Sequence, residues 1–455
     1  MDNVTARAAE AGAPAARPPA ERKPMRRAVW ASLIGTVLEQ YDMVLFGTAS
    51  ALIFNKVFFP EASPAVGLIA SFGAYGVGFL ARPLGGLFFS HFGEKLGRKW
   101  ILVTTLFLMG AATFAIGLLP TYAAAGIVAP LLLVLCRLLQ GFGAGAEQTG
   151  AITLLTESAP RESRGRYASV VAVGSGLGIV LGGGAWTIAQ ALLSPDALLS
   201  WGWRIVFFTS VFVTITAYVI RRRMRESPVF EEVKRNDAEA TTARAPMREL
   251  MREGKRPFLT VLGMTSGTMF NGYVFLAFMS AYLATWQDVD GVVASNVVVV
   301  GALATAVAAF GLGTLSDRVG RRPVMLGVAA FLLVYPPIAF LLIGTGTTFG
   351  VYVGVALGFA IAVAGGNGAH AAYLAELFGS RNRLAGVTLA RELSSMVAGG
   401  FAPLVCSALI AWAVGSWWPI AVVMSLTALI SLLTTLSAPE TRGRDLVDEK
   451  DAFGR

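Results

Sequence analysis

Apolar residues run along this chain in blocks of roughly 20 or more, broken by short polar and basic segments, and about 20 helical residues span the ~30 Å hydrocarbon core of a bilayer. The pattern predicts twelve helices over 29–54, 65–90, 100–119, 126–156, 166–193, 203–220, 257–285, 292–315, 323–343, 348–377, 384–412 and 417–437. Outside them lie an Ala-, Pro- and Arg-rich stretch over 1–28, read as a disordered tail, one long polar connection over 221–256 and a short tail over 438–455. The chain is thereby divided into six spans over 29–220 and six over 257–437. The first apolar block is too long for a signal peptide and carries acids in its middle, so no cleaved leader is expected.

Composition narrows the function. Of 455 residues, 55% are apolar and 14% charged, with a mean hydropathy of +0.64; an ordinary soluble domain carries about 25% charged residues. A soluble enzyme, a nucleic-acid-binding module and a single-pass receptor are excluded. Cys136 and Cys406 lie inside apolar blocks and only two histidines occur, so no disulfide framework, metal centre or cofactor is expected. The net charge of +9 resembles a nucleic-acid signal until the cations are placed. Thirty-two of the 37 lysines and arginines fall in the two tails and the even-numbered connections, while the opposite loops hold only Lys56 and Arg204. Cations gather on the cytoplasmic side of membrane proteins, so both termini and the central connection are expected in the cytoplasm. Arg82, Arg137 and Arg391 remain inside spans.

The halves repeat. Gly93-Glu94-Lys95-Leu96-Gly97-Arg98-Lys99 after span 2 returns as Ser316-Asp317-Arg318-Val319-Gly320-Arg321-Arg322 after span 8. Glu157 with Arg164 closes span 4 as Glu376 with Arg381 and Arg383 closes span 10. A parallel duplication of six spans is an architecture of secondary transporters. Acids and bases at matched positions of both halves suit ion pairs that hold the cytoplasmic side shut in one state and break in another; enforcing topology is the simpler use of the cations.

These residues resemble the major facilitator superfamily. The acid-basic-x-Gly-Arg-basic loop of both halves resembles its loop motif, and Arg137 with Gln140-Gly141 resembles its fourth-helix motif. Glu39-Gln40-Tyr41-Asp42-Met43, Phe58-Phe59-Pro60, Arg82-Pro83-Leu84-Gly85-Gly86, His91-Phe92-Gly93 and Glu226-Ser227-Pro228-Val229-Phe230 resemble the metabolite:proton symporter family within it, whose members take up shikimate, citrate, α-ketoglutarate, proline or betaine. Pro439-Glu440-Thr441-Arg442 fits the wider superfamily. Gln40 and Met43 depart from the Trp and Phe usual in the family, and Glu94 and Lys95 from its Asp and Arg. The resemblance implies an all-α bundle of twelve transmembrane helices around a central cavity. It also implies alternating access and residence in the bacterial inner membrane. No catalytic residues, nucleic-acid partner or obligatory protein partner are implied.

Ionisable groups within a span are costly and mark function by default. Counted inward from residue 28 at 1.5 Å per residue, Glu39 and Asp42 lie roughly 16–21 Å deep. Their i,i+3 spacing puts both on one helix face, where two carboxylates do not ionise together readily. Either can carry a proton, with Glu147 and His370 as further candidates; a permanent structural pair between Asp42 and an arginine is the alternative. Arg82 and Arg137 lie at comparable depth, and a guanidinium offers a planar fork to a carboxylate. Together with Tyr41, Asn271, Tyr273 and Asn367 they form the candidate substrate site, although the polar groups could equally bond between helices. Arg391 and Glu392 lie early in span 11, where long side chains snorkel to the interface, and are read as structural. The glycines from Gly141 to Gly145, and Gly174, Gly178, Gly182 and Gly183, are read as close packing points. The expected gate comprises Glu94, Lys95, Arg98, Glu157, Arg164, Asp317, Arg318, Arg321, Glu376 and Arg381.

The expected activity is proton-coupled uptake of a small organic acid. Osmolyte uptake of the proline or betaine type and proton-antiport efflux are the alternatives within transport, and an integral-membrane enzyme or sensor is the alternative outside it.

Overall fold

A computed structural model of the chain describes residues 19–62, 64–222, 226–237, 254–380 and 383–446. Among these every regular element is helical. Eleven helical segments are long and apolar enough to cross a membrane, and the 33-residue helix Pro64–Leu96 stands between the first and second of them. In chain order we label them α1 (Met25–Val57), α2 (Pro64–Leu96), α3 (Arg98–Leu118), α4 (Val128–Ser158), α5 (Arg161–Leu192), α6 (Pro195–Arg222), α7 (Lys255–Leu283), α8 (Asn296–Val319), α9 (Arg321–Ile343), α10 (Thr348–Leu377), α11 (Arg383–Trp412) and α12 (Trp418–Ser437).

The helix containing α1 starts at Pro19, so residues 19–28, expected in the tail, are helical; a proline suits the first turn, where its missing N–H has no partner to lose. Residues 1–18 lie outside the described residues. Of the long connection, Pro228–Asp237 forms a short helix, while 223–225 and 238–253 lie outside.

Within the first six helices α1 packs on α5, and α4 on α2 and α3. Within the last six α7 packs on α11 and α12, and α8 on α10. The sets meet most extensively through α2 with α11 and α5 with α8, and further through α4 and α5 with α10 and α4 with α11. Glycine sets these distances. A Cβ on Gly85 would overlap the Phe142 carbonyl, one on Gly141 the Gly78 carbonyl and one on Gly145 the Arg82 carbonyl, so α2 and α4 touch backbone to backbone. Gly174, Gly178 and Gly182 of α5 face α1 in the same way, whereas Gly183, expected in that series, faces open space. With lipid as apolar as leucine, such van der Waals contact is what holds helices together.

The outer surface carries large apolar side chains such as Leu84, Phe107, Phe212, Val307 and Leu404. Charged side chains are drawn inside instead. Arg82, Arg98, Arg137, Arg164, Arg221, Arg321, Arg383 and Arg391 are all buried, a inside-out arrangement suited to hydrocarbon.

Candidate functional site

A cavity lies between the two sets of helices. The first set contributes Glu39 and Gln40 of α1, Arg82 of α2, Gln148 of α4, and Ser175 and Ile179 of α5. The second contributes Met269, Tyr273 and Leu276 of α7, Phe359, Val363 and Asn367 of α10, and Arg391 and Ser395 of α11. Two π-helical turns border it, Val274–Phe278 in α7 and Gly365–Ala369 in α10. Such turns insert a residue into the helical ladder and re-aim the side chains beside them; here the second turn carries Asn367.

Arg82 is the hub. Its Nε donates to Glu392 Oε2 at 2.6 Å and its Nη2 to Glu39 Oε1 at 3.1 Å, and all three side chains are buried. One guanidinium thus ties α1, α2 and α11 together across the two halves. Glu39 is the only carboxylate lining the cavity among the described residues, and its Oε2 has no hydrogen-bond partner. Arg391 does not snorkel. It lies eight residues past the start of its helix, about 12 Å in, is 2% exposed, and donates from Nη1 to Asn367 Oδ1 at 2.9 Å and from Nη2 to Gln148 Oε1 at 2.6 Å. Tyr273 meets Ser395 Oγ at 3.2 Å and packs edge-on against Phe79.

Several expected site residues point elsewhere. Glu39 and Asp42 do not share a working face, because an i,i+3 step leaves about 60° between them on a helix packed all round. Asp42 is turned to α3, where Thr113 Oγ1 donates to its Oδ2 at 2.6 Å, so it is not locked to an arginine. Tyr41 bonds Thr209 of α6 at 2.5 Å, and its neighbour Gln40 takes the cavity position. Arg137 lies between the rings of Phe46 and Tyr75, 4.6 Å from each centroid, and donates to Gln140 Oε1 at 3.3 Å. Asn271 donates to the Met424 carbonyl of α12 at 3.1 Å. Glu147 is held by Arg221, with Thr105 donating to it at 2.7 Å. His370 is fully buried off the cavity, with both ring nitrogens unpartnered. Helix phase decides each case, since neighbouring residues of a span face different helices.

At the face that carries the chain's basic connections, the repeat becomes geometry. Arg98 pairs with Glu157 at 3.1 Å and Arg321 with Glu376 at 3.2 Å. Glu226 accepts the backbone N–H groups of Arg98 and Lys99, and Glu440 those of Arg321 and Arg322, so a carboxylate caps the start of α3 and of α9. Negative charge there meets the positive helix end and satisfies free N–H groups. The turn before each helix is a glycine at φ +106° and +109°, Gly97 and Gly320, where any Cβ would also strike the capping glutamate.

Further bonds cross between the halves. Arg383 of α11 pairs with Glu157 of α4 at 3.1 Å, and Arg164 of α5 lies 3.8 Å from Glu376 of α10. Asp317 accepts the N–H groups of Gly165 and Arg166 at 2.8 Å each. The segment after α12 adds carbonyls, Arg444 accepting from Arg164 and Leu446 from Arg383. Ion pairs and hydrogen bonds thus bridge the two halves on this face. Lys95, bonded to His91, and the exposed side chain of Arg318 stand apart from the network; Arg381 and the Glu94 side chain lie outside the described residues.

Residues 32–388 match the Major Facilitator Superfamily. The chain belongs to this superfamily. It is therefore a multi-pass membrane transporter of small molecules and not an enzyme. It is 36% identical to the shikimate transporter of Escherichia coli K12 over 90% of this chain and 94% of that one. It is 34% identical to the proline/betaine transporter of Salmonella typhimurium over 93% of this chain and 85% of that one. Among solved superfamily structures, the proton:xylose symporter XylE superposes with a TM-score of 0.75 at 14% identity, covering 94% of this chain and 99% of that one.

Sequence reasoning left out Gln40, Gln148 and Ser395 of the cavity wall and misread three charged residues. Arg391 and Glu392 looked structural because depth was measured from a helix end that the closed face buries. Arg221, counted among the topology cations, folds back to Glu147 and the Ala31 and Leu102 carbonyls. Its signal was present in Glu147, an acid in an apolar run that needed a cation.

Proposed function

We propose that this chain carries a small organic acid into the cell together with a proton, by exposing one cavity alternately to the two sides of the bacterial inner membrane. Glu39 carries the reading: among the described residues it is the one carboxylate on the cavity wall, with one oxygen on Arg82 and the other free. Glu39, Arg82 and Arg391 on the cavity wall and Glu392, paired with Arg82 behind it, balance in charge when all are ionised. A substrate carboxylate adds one negative charge, and a buried uncompensated charge costs several kcal/mol. A proton on the free Oε2 of Glu39 restores the balance. The empty cavity and the doubly loaded cavity are both neutral and free to reorient, while the anion alone is penalised, and this is obligatory symport. Asp42 and Glu147 bond to other helices of the first half, away from the cavity.

The basic, terminus-bearing face is read as cytoplasmic from its cations, with 29–220 and 257–437 moving as the two rocking halves. Glu157 with Arg383, Glu376 with Arg164 and Asp317 with the 165–166 backbone form the cytoplasmic gate, closed here. The relatives named for shikimate and for proline and betaine support the class of cargo, since each of those compounds carries one carboxylate. Uptake of labelled shikimate and of labelled proline into proteoliposomes tests the proposal. We expect accumulation to require an inward proton gradient. Uptake indifferent to that gradient, or accumulation only under an outward-directed one, refutes it, and proline entering without shikimate moves the cargo to osmolytes.

A further inference from the structure

Arg391 is a buried guanidinium on the cavity wall whose two hydrogen-bond partners, the side-chain oxygens of Asn367 and Gln148, are neutral amides. No ion pair reaches it among the described residues, and its Nε–H has no partner. Its sequence neighbour Glu392 is committed to Arg82 at 2.6 Å. Two amides orient a guanidinium without neutralising it. Five N–H donors with two in use leave the Nε edge available for the two-pronged contact a carboxylate makes. On Arg82 the Nε–Nη2 edge is taken by two glutamates, whose charges also compensate it.

We propose that Arg391 is the anchor for the substrate carboxylate and that the transported acids are monocarboxylates with an uncharged body. This rests on the reading of the chain as a proton-coupled carrier of organic acids. One guanidinium without a counter-charge accepts one carboxylate. A second carboxylate finds no further cation and faces Glu39 or the apolar wall of Ile179, Leu276 and Phe359. The ammonium of a zwitterion would compete with the coupling proton for the free Oε2 of Glu39. The uncharged body lies between that apolar wall and the hydroxyl and amide groups of Gln40 and Ser395, which suits a compact carbon skeleton bearing hydroxyls. Gln148 belongs to the first half and Asn367 to the second, so the anchor is held from both sides and senses their relative position.

The test is ligand binding to the purified carrier by thermal shift and calorimetry. The panel is shikimate, lactate and benzoate against succinate and citrate, and against proline and betaine, together with the primary amides of the three monocarboxylates. Monocarboxylates are expected to bind, each at least tenfold more tightly than its amide. In Arg391→Gln the acid-over-amide preference collapses to near unity, and Arg391→Lys recovers part of it. A purely structural arginine would weaken acid and amide alike. Loss of both ligands in a variant that stays monodisperse therefore overturns the proposal, as does an intact acid preference in Arg391→Gln. If Arg391→Gln does not fold, Gln148→Leu, which removes one of the two amide holds, must lower acid affinity more than amide affinity. Tighter binding of dicarboxylates or zwitterions, or a panel in which no monocarboxylate binds, also overturns it. Proton-driven uptake of succinate refutes this assignment while leaving proton-coupled carboxylate transport standing, and proton-independent uptake refutes the latter.

Discussion

Glu157→Gln separates a gate from a mere cluster of topology cations. Glu157 is fully buried between two guanidinium groups, Arg98 at 3.1 Å and Arg383 at 3.1 Å, and accepts from Ser227 at 2.5 Å. Arg98 belongs to the same half as Glu157, and Ser227 to the connection bonded to that half, so the Arg383 contact is the one lost when the halves part. The amide keeps the shape and removes the charge. A hydrogen bond to a charged partner contributes about 1.5–3 kcal/mol, so the closed-to-open ratio at this face should fall roughly 10- to 150-fold. The readout is the distance distribution between spin labels on cysteines introduced at Lys95 and Arg318, which sit in the matched loops, are exposed, and take no part in the network. The native Cys136 and Cys406 are buried and label poorly. Wild type should populate a short distance and the variant a longer one. An unchanged distribution in a folded variant would refute the gate and return these cations to a topological role.

Three further outcomes follow from the same geometry. Arg82→Lys keeps the charge but cannot serve Glu39 and Glu392 together, so proton-driven uptake should fall about tenfold or more; near-normal uptake removes Arg82 from the coupling site. Gly141→Ala pushes a methyl into the Gly78 carbonyl and should destabilise by about 1–3 kcal/mol, seen as a lower melting temperature in detergent, while Gly183→Ala, which meets nothing, should not lower it. His370→Leu should retain proton-coupled uptake, because neither ring nitrogen has a partner to relay a proton to; loss of coupling with substrate exchange intact would restore the relay.

The spans, the repeated loops and Glu39 and Arg82 as charges inside the bundle were legible because they rest on composition, spacing and helical rise, all local properties of a chain that must hide its backbone from lipid. The glycines could be read for the same reason: Gly85 and Gly141 have no local purpose except close approach. What stayed hidden was rotational phase. A helix packed on every side does not announce which face meets the cavity, so Tyr41 and Asn271 were drawn into the site and Gln40 and Arg391 left out. The cross-half bonds of Glu392 and Arg383 depend on which halves meet in the closed state, and one sequence carries no such record. Matched acids at 157 and 376 signalled that a network exists, but not that the segment through Leu446 completes it.

Proton movement coupled to substrate is the most direct test of the central claim. Proteoliposomes containing a trapped pH-sensitive dye are given an inward gradient of a transported monocarboxylate at equal pH on both sides. The account predicts lumenal acidification by wild-type protein in proportion to substrate entry, and none by Glu39→Gln, which should still exchange external for internal substrate. Substrate entry without acidification in wild type, or equal acidification by the Glu39→Gln variant, would contradict it.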